Sequence, residues 1–277
     1  MGEARERNLL LTISYDGTPF SGWQRQPGRP TVQGEIERAL TELCGQPVRI
    51  DGTSRTDAGV HALGQRASFH GRFGIPTANL RRALNDRLPG SIRILAVEEK
   101  PPGFHARYDC CGKEYHYRLV NGRGRSPFRR HFCWYLERPL DLAAMREAAQ
   151  RLEGRHDFRC FQAAGGQERE STVRTLYRVR VEELPATAAG DPAAAAVPFD
   201  SAAGRELRIR TAGDGFLYNM VRILVGTLVE VGLGRRDPAA IDALLASRDR
   251  TEAGPTAPAR GLYLAEVYYD RARMLRG

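Results

Sequence analysis

The run Gly52-Thr53-Ser54-Arg55-Thr56-Asp57-Ala58-Gly59-Val60-His61-Ala62-Leu63-Gly64-Gln65 places one carboxylate, Asp57, in a glycine-bounded turn. Arg55 stands two residues before it and His61 four after. A carboxylate in a tight loop beside a cation is kept ionised and can serve as a nucleophile. Aspartate also caps turns through its own side chain. Taken alone, Asp57 reads first as an ordinary turn aspartate, because most carboxylates in a chain are solvated or structural.

The elements around this loop decide what it can do. Leu9 to Tyr15 alternates Leu9, Leu11, Ile13 and Tyr15 on one face, as a half-buried strand does, and Asp16-Gly17-Thr18-Pro19 is a turn. Thr31 to Leu43 carries Val32, Ile36, Ala39, Leu40 and Leu43 at helical spacing, with Thr31 as N-cap and Gly45 as stop. Val48 to Asp51 reads as a short strand and Gln65 to His70 as another, with Ala67 and Phe69 alternating. Thr77 to Leu88 is a helix with Leu80, Leu84 and Leu88 in line, and Ile92 to Val97 a strand. The order β-α-β-β-α-β is the ferredoxin-like split arrangement, with the Asp57 loop joining its second and third strands.

The second half repeats the theme. Lys113 to Val120 alternates Tyr115, Tyr117 and Leu119 against Glu114, His116 and Arg118, and His131 to Leu136 can extend the sheet. Asp141 caps a helix through Leu152. Strands fit Asp157 to Phe161, Thr175 to Val181 and Leu207 to Thr211. An apolar helix begins near Phe216, Asp237-Pro238 opens a short helix, and Leu262 to Tyr269 closes as a strand. The fold class is therefore α+β, with two similar ferredoxin-like halves, residues 1–105 and 106–277, meeting near Pro101 to Arg107. Pro185 to Gly204 is rich in Ala, Gly and Pro without periodicity, a surface insertion with no chemistry of its own.

Composition narrows the function class. The chain of 277 residues carries a formal net charge of +9, which favours a polyanionic partner such as nucleic acid. Lys100 and Lys113 are its only lysines, a skew that is weak evidence beside the sign of the charge. Five cysteines (Cys44, Cys110, Cys111, Cys133, Cys160) with no C-x-x-C pair argue against a disulfide framework and a zinc site. No apolar run reaches membrane-spanning length; the longest, Phe216 to Val231, is broken by Asn219, Arg222 and Glu230. Met1 to Arg7 lacks an apolar secretory core, which leaves the cytoplasm as the default.

The residues then argue together. Tyr15-Asp16-Gly17, Phe20-Ser21-Gly22-Trp23-Gln24 and Thr31-Val32-Gln33-Gly34 resemble the N-terminal signature of the tRNA pseudouridine synthase A family, and Arg55-Thr56-Asp57-Ala58-Gly59-Val60-His61-Ala62 is similar to its catalytic motif. Phe104-His105-Ala106-Arg107, Lys113-Glu114-Tyr115-His116-Tyr117-Arg118, Gly154-Arg155-His156-Asp157-Phe158, Met220-Val221-Arg222-Ile223-Leu224-Val225-Gly226 and Gly261-Leu262-Tyr263-Leu264 follow in the family's order. Two departures stand out: Ser54 where many members have Gly, and a longer insertion at 185–204.

The resemblance implies an isomerase that detaches uracil from its ribose in the tRNA anticodon stem-loop, just 3′ of the anticodon, and rejoins it through carbon. It also implies no cofactor or metal, a homodimer, and two halves in one continuous antiparallel sheet, with helices on one face and a central cleft. Asp57 carries over as the nucleophile, since an ionised carboxylate can form or support a bond while a glycosidic link breaks. Arg222 sits amid Met220, Val221, Ile223 and Leu224; either it reaches the surface along its stem, or it pairs with Asp57 and holds it ionised, the reading the family supports. Tyr115 is either a core aromatic or, by the family, the platform over the flipped uracil; Tyr117 is the core residue of the pair. Arg55 is assigned to the RNA, because a flipped base leaves a vacancy or a phosphate that a guanidinium can hold. His61 is assigned to hydrogen bonding within the loop, and Arg66, Arg81, Arg82, Arg129 and Arg130 form an unranked set facing phosphates. Two rivals are a non-catalytic tRNA-binding protein, which would lose Asp57 or its partner, and a nucleoside glycosidase, which would need a second acid near Asp57.

Overall fold

The computed structural model describes residues 4–123, 125–165, 170–184 and 204–276. The chain forms two compact units, Met1–Cys111 with Tyr263–Arg273, and Gly112–Leu262 with Met274–Gly277. Both mix α and β. The insertion expected at 185–204 lies, apart from Gly204, outside the described residues.

The first unit contains β1 (Arg5–Tyr15), α1 (Val32–Cys44), β2 (Asp51–Gly52), β3 (His61–Phe73), α2 (Thr77–Asn85) and β4 (Ile92–Lys100). β1 pairs antiparallel with both β3 and β4, and β2 pairs antiparallel with β3. Helix α1 has the expected caps: Thr31 accepts from the Gly34 amide, and Gly45 closes it at φ 65°. α2 ends at Asn85 rather than Leu88, because the Asn85 amide is taken by strand β4: it donates to Ile94 O at 2.9 Å and accepts from Ile94 N at 2.8 Å. The strand expected at Val48 to Asp51 is reduced to β2. Val48 and Ile50 are buried, but their amides donate to the side chains of Thr41 and Glu37, both at 3.1 Å, and not to a ladder.

The second unit contains β5 (Gly112–Asn121), β6 (Trp134–Leu136), α3 (Leu142–Arg151), β7 (Gly154–Asp157), β8 (Val173–Leu184), β9 (Arg205–Gly213), α4 (Met220–Gly232) and α5 (Ala240–Ser247). Its antiparallel sheet runs β5–β9–β8–β7, with β6 parallel to β5. The strand expected over Asp157 to Phe161 stops at Asp157, and Arg159–Phe161 is a 3-10 turn. Asp157 Oδ1 accepts from Arg159 N at 3.1 Å and from the Thr172 hydroxyl, and Phe158, Cys160 and Phe161 are all buried, so the alternation of a strand is lost. α4 begins at Met220, four residues after Phe216, and is apolar nearly all round, as a core helix must be.

The chain ends with β10 (Leu262–Tyr268) and α6 (Arg271–Arg276). β10 lies in the sheet of the first unit, where Tyr263 and Leu264 pair parallel with His61 and Ala62 at the start of β3. All five cysteines are free thiols. Among the described residues no helix is long and apolar enough to cross a membrane.

Candidate active site

Asp57 stands, half-buried, in the connection between β2 and β3. The turn that carries it closes with Val60 N donating to Asp57 O at 3.1 Å, and Gly59 holds φ 74° at the third position, where a side chain would be strained. Before the turn the chain is clamped from both sides. Trp23 N donates to Thr56 O at 3.0 Å, and the Thr56 hydroxyl shares a 2.7 Å hydrogen bond with Tyr15 Oη. The Gln65 amide, fully buried on β3, accepts from Ser54 N at 3.2 Å and donates to Ser54 O at 2.7 Å. Thr53 N donates to Arg66 O at 2.9 Å. Gly17 completes the seat: a Cβ there would lie 2.0 Å from Val60 O. The N-terminal signature residues thus serve as the wall against which the Asp57 loop is held.

His61 is buried, with its ring stacked on Tyr263 at 4.8 Å. Its Nδ1 faces the turn after β1. Nδ1 is 3.1 Å from Gly17 N and 3.2 Å from Asp16 Oδ1. One nitrogen serves one of these at a time: neutral, it accepts from Gly17; protonated, it donates to Asp16. Partial burial would raise the Asp16 pKa, but hydrogen bonds from His61 and Thr18 outweigh it and bring it down to about 2. His61 is thus a buried ring that ties the start of β3 to the turn after β1. Arg55 is exposed in the same loop.

The second unit holds Tyr115 and Arg222. Tyr115 on β5 is half-buried, its ring edge-on to Phe216 at 5.0 Å and 81°. Arg222 is half-buried in the first turn of α4. Its Nε donates to Ala257 O at 2.7 Å and its Nη1 to Asn219 Oδ1 at 2.7 Å, while Arg222 O accepts from Ala257 N at 3.1 Å. Tyr117, fully buried, donates its hydroxyl to the neighbouring Pro258 O at 2.7 Å. Burial pushes that hydroxyl far above the usual phenol range, although the charges of Arg222 and Arg260 oppose the shift. Tyr117 is a core residue.

On the opposite face of β5, Glu114 and Arg118 are buried as well. Glu114 accepts from His116 Nε2 at 2.7 Å, Arg210 Nε at 2.7 Å and Arg178 Nη1 at 2.9 Å. Burial would raise its pKa, but the bonds from His116 and Arg210 hold the carboxyl well below the usual range. The strand is thus covered on both faces, with ion pairs on one.

Of the arginines expected to face phosphates, Arg66 and Arg129 engage carboxylates of Glu98 and Glu206, while Arg81, Arg82 and Arg130 are exposed. Sequence reasoning missed the supporting roles of Gln65, Thr56, Phe216, Asn219 and Glu114. Gln65 carried a signal: it shares the inward face with Ala67 and Phe69, so a polar side chain there had to be buried and satisfied.

Comparison with known proteins places the chain. The family model described as tRNA pseudouridine synthase matches residues 11–109 and 148–270. Over 265 residues the chain is 45% identical to tRNA pseudouridine synthase A of Geobacillus kaustophilus, covering 95% of each chain. It is 45% identical over 263 residues to tRNA pseudouridine synthase A of Brevibacillus brevis, covering 95% of this chain and 100% of the other. It is 43% identical over 266 residues to tRNA pseudouridine synthase A 2 of Clostridium tetani, covering 95% and 99%. The chain belongs to the tRNA pseudouridine synthase family, isomerases that convert uridine in tRNA to pseudouridine.

Proposed function

We propose that this protein isomerises uridines in the tRNA anticodon stem-loop, just 3′ of the anticodon, with Asp57 as nucleophile. The observation that carries the reading is the Asp57 loop: a half-buried carboxylate in a turn braced by Trp23, Tyr15, Gln65 and Gly17. Catalysis by a fixed charge requires that kind of preorganisation. The carboxylate forms or supports a bond while the link between uracil and ribose breaks; the base turns and rejoins through carbon. Because the base rejoins the same sugar, the reaction consumes no co-substrate.

In this reading Tyr115 contacts the flipped uracil, Arg222 supplies the cation that keeps Asp57 ionised, and Arg55 contacts the RNA. The support for Arg222 is its fixed head group, held by Ala257 and Asn219, since a preset guanidinium is a better carboxylate partner than a mobile one. The order β4–β1–β3, with β2 also paired to β3 beside β10, supports a ferredoxin-like half. The working form is a cytoplasmic homodimer, as the family resemblance implies.

The test incubates unmodified tRNA with the wild-type protein, Asp57→Ala and Asp57→Asn, then maps pseudouridine in the anticodon arm. Neither variant forms pseudouridine, while both retain tRNA, because binding rests mainly on phosphates. Wild-type turnover by Asp57→Ala removes Asp57 from its role.

A further inference from the structure

His105, Arg107 and Tyr108 form an aromatic and cationic cluster in the first unit that the reaction as described does not use. Tyr108 is 76% exposed. A single exposed aromatic is unremarkable by itself. This one is held in place. Its ring lies against the His105 imidazole at 4.3 Å, and the Arg107 guanidinium sits 5.9 Å from the ring centre. His105 Nδ1 accepts from the Arg107 amide at 3.1 Å and the Tyr108 amide at 3.4 Å. Asp109 Oδ2 accepts from His105 N at 2.7 Å, and Asp109 N donates to His105 O at 3.1 Å. The turn is anchored to β3, to the Asp57 loop and to the residue after β10: Ala106 N donates to Ser68 Oγ at 2.9 Å, and Ala106 O accepts from the Thr53 hydroxyl at 3.0 Å and the Tyr269 hydroxyl at 2.8 Å.

We propose that Tyr108 is a stacking platform for an unpaired base of the tRNA substrate, with Arg107 engaging an adjoining phosphate. Unpaired bases stack on exposed aromatic faces, and this stacking tolerates any base. The ring is already ordered, so little freedom is lost when a base lands on it. A guanidinium beside it and a net charge of +9 match a polyanion rather than an apolar protein surface. The proposal rests on the tRNA reading above, but its test does not depend on turnover.

Binding of an anticodon stem-loop RNA is measured across a salt series, in the Asp57→Ala background, for Tyr108, Tyr108→Ala, Tyr108→Phe and Arg107→Ala. Tyr108→Ala weakens binding roughly 5- to 150-fold, the range for loss of one stacked base, with an unchanged salt slope. Tyr108→Phe keeps the affinity. Arg107→Ala lowers the slope by about one phosphate contact. Tyr108→Trp adds an emission that the stem-loop quenches beyond the wild-type response and that a fully paired RNA duplex does not. Binding of Tyr108→Ala within twofold of the parent, or an unquenched tryptophan, overturns the platform. Activity surviving in Asp57→Ala would instead overturn the catalytic assignment and leave the binding comparison intact.

Discussion

Replacing Glu114 by glutamine removes one negative charge at a point where His116, Arg178 and Arg210 converge. The carboxylate is 2% exposed, against 17% for His116, 13% for Arg178 and 23% for Arg210. Glutamine keeps the shape but turns one acceptor into a donor, which then faces a cationic donor. Breaking a buried ion pair by removing one partner costs about 3–5 kcal/mol. Here the arginine head groups retain some solvent, and Arg210 has a second carboxylate, Glu182, at 3.5 Å. The loss therefore falls at or just below the lower end of that range, about 2–3 kcal/mol. At ~2–4 °C per kcal/mol for a chain of this size, the melting temperature drops by about 4–12 °C.

The sign with pH follows from linkage. The folded-state pKa of Glu114 lies below its ordinary value of 4.5, so its stabilisation is fully present above that value and fades as pH falls below it. Calorimetric melts of wild type and Glu114→Gln show the full gap at pH 7 and a narrowing gap below about pH 4.5. Adding Arg210→Met to Glu114→Gln costs less than the sum of the single changes, because the two share one interaction. Melting within about 1 °C of wild type at pH 7, well inside the shift expected for one kcal/mol, shows that the Glu114 cluster does not stabilise the fold, as does a gap indifferent to pH.

Two further substitutions probe the packing. Thr211 is fully buried on β9, directly across from Tyr115, and its hydroxyl has no hydrogen-bond partner among the described residues. Thr211→Val deletes that orphan at constant shape and raises stability by about 1 kcal/mol, readable as a higher melting temperature; a lower one means the hydroxyl is satisfied by water. Gly17→Ala sets a methyl 2.0 Å from Val60 O, so backbone must move at the Asp57 turn. Pseudouridine formation falls sharply while tRNA binding persists; full turnover in Gly17→Ala would show that the wall at Gly17 does not set the loop.

What could be read from the sequence was local. Thr31 and Gly45 bracket α1 because capping is decided within one turn of helix, and the Asp57 turn announces itself through Gly59. What escaped reading was non-local. The parallel pairing of Tyr263 with His61 joins residues from opposite ends of the chain, and no periodicity reports it. Glu114 shows the same limit on one strand. Alternation identifies it as the polar side of β5, yet its burial depends on Arg178 and Arg210, 64 and 96 residues further on. A polar residue in alternation reads as solvent-facing unless its counter-charges are known. Gln65 lies between these cases, since its apolar neighbours on the same face expose it as buried, although its bonds to Ser54 need the fold. The chemistry proposed for Asp57 rests on a few adjacent residues, while the seat of its loop is distributed over Tyr15, Gly17, Trp23 and Gln65. Those supports are where substitutions should alter catalysis without touching the carboxylate.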